Sequence, residues 1–161
     1  MTVLPATERF FAPEISKVYV ALAIANLLNV TRAEITASTD VTNEIADLSG
    51  WTVASGLIAV PDFGSRFTKQ IGGRTNVDAS TITFYGDLGG DDIRKVLARG
   101  DRVVVGFADQ GDVATLPADW FPVEVTAVGK LRSVGDNAFR ITVSFAPTGV
   151  PAEDVPLPAL A

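Results

Sequence analysis

The sequence predicts a mainly β protein: an antiparallel β-sandwich or barrel-like body with one flanking α-helix, a long protruding loop and extended termini. Three observations predict it. Residues 120–128 and 138–146 alternate apolar and polar side chains with a period of two, the pattern of strands with one buried and one wetted face. Fourteen Gly and nine Pro punctuate a chain rich in Val, Thr and Ile, as many short strands joined by turns require. Helical spacing with both start and stop signals is clearest in one place, at about residues 91–99.

Taken in order, residues 1–14 hold Pro5 and Pro13 without a sustained period and read as an N-terminal arm. Residues 17–22 begin with alternating larger and smaller apolar side chains, as in a largely buried strand. Thr31-Arg-Ala-Glu34 fits the S/T-x-x-E capping box and opens a single helical turn through Ile35. Residues 40–48 are ambiguous: Ile45 and Leu48 have helical spacing, whereas Val41 and Ile45 share one face of a strand. Residues 51–58 read as a strand. Residues 60–77 combine Pro61, Gly64, Gly72 and Gly73 with Arg66, Lys69 and Arg74 and show little apolar periodicity. A stretch that long without regular structure is uncommon unless it has a job, so it predicts a protruding loop or hairpin.

Residues 80–85 alternate again, with Ile82 and Phe84 opposite Thr81, Thr83 and Tyr85. The turn at 86–90 leads into the helix expected at 91–99. That helix has acidic residues first, Ile93, Val96 and Leu97 on one face, Arg99 in the last turn and Gly100 as the stop. Residues 102–108 form another strand. In 120–128 Phe121, Val123, Val125 and Ala127 share a face; in 138–146 Phe139, Ile141, Val143 and Phe145 do, and the polar 129–137 joins the two as a hairpin loop. Pro147, Pro151, Pro156 and Pro158 make 147–161 a Pro-rich C-terminal tail. That leaves 15–146 as a single β domain, consistent with the length of 161 residues.

Composition excludes more than it suggests. The chain has no Cys and no His, so disulfides, thiolate or imidazole metal ligands and Ser–His or Cys–His couples are absent. The net charge of −6 argues against attraction to phosphate backbones or anionic lipid. The longest apolar run, 18–30, is interrupted by Asn26 and Asn29 and is too short to span a membrane. Residues 1–14 lack the pattern of a signal peptide, so synthesis is expected in the cytoplasm.

Few residues carry a chemical signal. The segment 86–92 lacks the bidentate Glu of a calcium loop and the Lys-Ser/Thr of a phosphate loop, and reads as a turn in which Asp91 or Asp92 caps the helix. Asp109, Asp112 and Asp119 read as solvated loop carboxylates, without a nucleophile or base to pair with. Trp51, Trp120 and Phe121 could form a sugar- or base-binding platform, although strand aromatics more often serve a core or an interface. Arg66, Lys69 and Arg74 are too few to bind nucleic acid against the net charge and suit an acidic surface on a second copy. No cofactor and no metal is expected.

Several segments together resemble a known family. DVTNEIADLSGW at 40–51, PDFGSRFTKQIGGR at 61–74, STITFY at 80–85 followed by GDDIR at 90–94, and 121–145 with VGK at 128–130 occur in the order found in major tail, or tail tube, proteins of long-tailed phages, particularly those of actinobacterial hosts. The resemblance covers about 15–155, and it rests on order and extent because no one segment is diagnostic.

It implies a non-enzymatic structural protein of the virion tail. Such subunits form six-membered rings that stack into the conduit for DNA delivery. Implied partners are other copies of the chain, tail tip or baseplate, tape measure and tail terminator proteins, and DNA in transit, with no membrane; assembly takes place in the host cytoplasm. The long loop is implied to meet a neighbouring subunit or ring through Asp62, Phe63, Arg66, Lys69 and Arg74, and Asp40, Glu44 and Asp47 to face the lumen. The tube protein of a contractile injection system and a carbohydrate-binding β module are the alternatives.

Overall fold

Residues 3–160, described by a computed structural model, contain ten strands, one short α-helix and two 3-10 turns. The strands are β1 (Lys17–Ala21), β2 (Thr39–Asp40), β3 (Ile45–Ser49), β4 (Val53–Val60), β5 (Lys69–Val77), β6 (Ser80–Tyr85), β7 (Arg102–Ala108), β8 (Pro117–Leu131), β9 (Arg140–Pro147) and β10 (Ala152–Pro156). The helix α1 is Arg32–Ala37, and the 3-10 turns are Thr42–Glu44 and Ile93–Lys95. The pairings β1–β2, β1–β7, β3–β6, β4–β5, β6–β9 and β8–β10 are antiparallel, as the one-sided alternation in the sequence requires. The chain divides into two units, the first made of residues up to Asn43, Arg102–Val123 and from Gly149 onward, the second of Glu44–Asp101 and Glu124–Thr148.

In the first unit β1 pairs with β2 and β7, and β10 runs along β8. Tyr19, Ala21, Val104, Ala108, Ala118 and Trp120 form an apolar cluster with Val30, Ile35, Ala152, Val155 and Leu157. Gly106 is required here, because a Cβ would lie 2.2 Å from the Trp120 ring. Val18, Val20, Val103, Val105, Phe121 and Val123 are buried as well, so β1 is buried along both faces, as its sequence predicts. The capping box forms as expected: the Thr31 hydroxyl accepts the Glu34 N–H, and the Glu34 carboxylate accepts the Thr31 N–H at 2.8 Å and the Ala25 N–H at 2.7 Å.

The Pro-rich segment from 147, expected as a tail outside the body, is instead part of this core. Ala152, Val155 and Leu157 are buried, and Leu157 exchanges backbone hydrogen bonds with Leu116 and Thr115. The prolines allow this because β10 is short and Pro156 stands at its last position, where a missing N–H costs little. Arg32 fastens the segment: its guanidinium donates to both Asp112 carboxylate oxygens at 2.7 and 2.8 Å and to the Pro158 carbonyl at 2.7 Å.

In the second unit β9 pairs with β6 and β6 with β3. Ile82, Phe84, Val125, Ile141, Val143 and Phe145 are buried, which are the inward positions that the alternation picks out. The ambiguous 40–48 resolves into β2, a 3-10 turn and β3. The helix expected at about 91–99 is corrected to the single 3-10 turn at Ile93–Lys95. Asp92 does cap it, accepting from the Arg94 N–H, but the turn closes with 3-10 bonds, Lys95 N–H to Asp92 and Val96 N–H to Ile93, and Gly100 turns left-handed at φ +94°. The periodicity survives as burial, since Ile93 and Leu97 point inward, and as one helical hydrogen bond from Leu97 N–H to Ile93 at 2.8 Å.

Candidate assembly interface

The stretch 60–77 is only partly a loop. Its second half is β5, which pairs with β4 in a separate two-stranded ribbon, leaving 61–68 as the turn between them. The register runs from Val53↔Val77 to Val60↔Lys69, with a shift between Ser55 and Leu57. Strands of eight and nine residues at ~3.3 Å per residue make a ribbon about 25–30 Å long.

The root of the ribbon is firmly held. Gly50 and Trp51 both take left-handed conformations, at φ +85° and +65°, turning the chain out of β3. Only Gly fits at 50, where a Cβ would lie 2.5 Å from the Ala79 carbonyl. Trp51 donates its backbone N–H to the Ser80 hydroxyl at 3.0 Å and its indole N–H to the Thr81 carbonyl at 3.3 Å, and its ring lies 5.3 Å from that of Phe145.

Beyond the root the side chains are exposed although many are apolar. Ile58 opposes Ile71, and Val60 lies on the same face; Leu57, Phe67 and Phe63 are 71, 73 and 115% exposed. A two-stranded ribbon has little stability alone, and a concentration of exposed apolar side chains marks an association surface. Asp62, Phe63, Arg66, Lys69 and Arg74 all lie on it and are all exposed. The Asp62 carboxylate accepts the Gly64 N–H at 2.9 Å, and Lys69 lies 4.0 Å away. Phe67 and the Ile58–Ile71 pair were not singled out by sequence. Their only signal is apolar residues inside a segment whose turn is too polar and Gly-rich to be core.

The three acids expected at a lumen are exposed but differ in setting. Asp40 ends β2, accepts from the Thr42 backbone and hydroxyl, and lies 3.8 Å from Lys17. Glu44 closes a 3-10 turn, and Asp47 sits on β3 opposite Thr83. The aromatic platform does not form. Trp120 is 1% exposed within the first unit's core and offers no face to a sugar, and the Trp51 ring packs on Phe145.

Comparison with known proteins follows the same line. A family model described as phage tail tube protein matches residues 5–160. No curated protein matches the chain significantly by sequence. Among solved structures, a chain of the SPP1 tail tube is 14% identical with a TM-score of 0.59, over 89% of this chain and 78% of that one. A chain of the anti-feeding prophage baseplate is 10% identical with a TM-score of 0.57, over 94% and 97%. At such identities the likeness is one of fold.

Proposed function

This chain belongs to the phage tail tube protein family, and from that premise we propose that it assembles into six-membered rings that stack into the tube through which phage DNA is delivered. The observation that carries the reading is the β4–β5 ribbon: two strands rooted by Trp51, with apolar and basic side chains exposed along them. Docked on a neighbouring copy, the ribbon buries what the lone chain exposes. A head-to-tail contact of this kind repeats without closing along the axis and builds a filament.

The charge suits a conduit. Each subunit contributes −6, and acids on an inner wall, Asp40, Glu44 and Asp47 among them, repel phosphates within a screening length of ~8 Å at physiological salt, so DNA slides without adhering. The role is structural rather than enzymatic. Assembly in the host cytoplasm and contacts with tail tip, tape measure and terminator proteins belong to the same proposal. The fold shared with a chain of the anti-feeding prophage baseplate favours one second reading, the tube of a contractile injection system, and a sheath gene beside this one discriminates.

The test is negative-stain microscopy of concentrated protein, alone and with a tail-tip fraction as nucleus. Hollow tubes are expected from the full chain, and a folded protein without tubes from a deletion of residues 65–73. Compact monomers alone from the full chain under both conditions overturn the reading.

A further inference from the structure

The ribbon needs a receptor, and the first unit carries a recess that matches it. The recess has a volume of about 190 Å³, and a 150 Å³ apolar cavity is known to take a benzene ring. Phe107 and Ala118 contribute apolar lining, Phe10 of the N-terminal arm lines it as well, and Asp109, Asp119 and Asp154 bring three carboxylates to it, with no cation among the described residues that line it. The acids are held there by the fold. Asp119 accepts the Asp154 N–H at 2.8 Å, and Asp154 is left-handed at φ +55° in the irregular stretch of β10 between Ala152 and Val155. Burial, and then the charge of Asp119, push the Asp109 carboxyl above the usual carboxylate range.

The turn of the ribbon is the complement. Residues 61–69 hold two cations, Arg66 and Lys69, against one acid, Asp62, and place Phe63 and Phe67 between them. Phe63 is wholly exposed. We infer that the recess on one copy receives the ribbon turn of a second copy, with Phe63 against the apolar lining and Arg66 against Asp109 and Asp119. This rests on the tube reading and adds its contact partner. The two surfaces are different, so the contact is heterologous, as an open stack requires.

Charge exchange tests it. Arg66→Asp and Asp109→Arg are each expected to raise the critical concentration for tube formation by about tenfold or more, since each sets like charges together. The two substitutions combined in one chain are expected to restore assembly toward the wild-type concentration, because at every contact the exchanged pair is again of opposite sign. If wild type forms tubes and the single variants assemble equally well, or the double variant assembles no better than the singles while all remain folded by circular dichroism, the recess is not the receptor and the tube reading stands. If wild type forms no tubes, it is the tube reading that fails. Should a reversal impair folding, Arg66→Gln and Asp109→Asn, singly and together, carry the same test as a double-mutant cycle: coupled effects on the critical concentration support the contact and additive ones overturn it.

Discussion

Phe63→Ala separates assembly from folding. Phe63 is 115% exposed, so its ring packs on nothing in the lone chain and truncation leaves the fold's stability within about 0.5 kcal/mol. Docked as proposed on a second copy the same ring becomes buried, and full burial of a Phe side chain stabilises by about 1.5–3 kcal/mol. At about 1.4 kcal/mol per factor of ten, the critical concentration rises roughly 10- to 150-fold. Pelleting of polymer from a concentration series reads that shift directly, and a melting curve by circular dichroism reads the fold. An unchanged critical concentration refutes the burial of Phe63 on assembly. A loss of several degrees in Tm refutes its place outside the fold.

Three further outcomes concern the fold itself. Asp92→Ala removes the acceptor for the Arg94 and Asp87 N–H groups and for the Arg94 guanidinium. A lost cap costs about 1 kcal/mol, so calorimetry should show Tm lower by about 2–4 °C. Hydrogen bonds from the Arg94 side chain hold the Asp92 carboxyl well below the usual range, so its contribution is present above about pH 4 and fades as pH falls below that. Asp109 has the opposite sign: its raised carboxyl destabilises the fold as pH rises through its folded-state pKa. Asp109→Asn should therefore melt above wild type at pH 7, with the difference closing toward about pH 4, and an equal or lower Tm at pH 7 contradicts this. Gly106→Ala drives a methyl group into the Trp120 ring and should cost about 1–3 kcal/mol in urea unfolding.

What could be read in the sequence was what local physics decides. Ile141, Val143 and Phe145 announce their burial by period two, and Thr31 and Glu34 announce their helix by a reciprocal hydrogen bond four residues long. The tail could not be read, because Ala152, Val155 and Leu157 are buried through partners such as Ala118, Trp120 and Leu116, distant in sequence, while the prolines beside them argue locally against a core. Residues 91–99 carry helical spacing, yet the turn after Asp92 closes with 3-10 bonds and Gly100 is left-handed. The ribbon is legible only in part: 51–58 reads as a strand and 60–77 as a protruding loop or hairpin, but a strand exposed on both faces has no alternation to display, so the bounds of β5 at 69–77 do not show. Asp119 and Asp154 come together through the pairing of β8 with β10, and Asp109 joins them from the end of β7 beside β8; no sequence spacing signals that.

The first unit is assembled from three separated stretches of chain, and its core includes Val155 and Leu157. That sets an order during synthesis. Translation at roughly 5–20 residues per second delivers the second unit's residues 44–101 and 124–148 before it delivers β10, so the second unit can close while the first still lacks a strand. The acidic recess, which needs Asp154, is therefore complete only after the ribbon already exists. On the proposed contact, a chain whose residues beyond 148 are not yet made can present its turn to finished copies but cannot receive one.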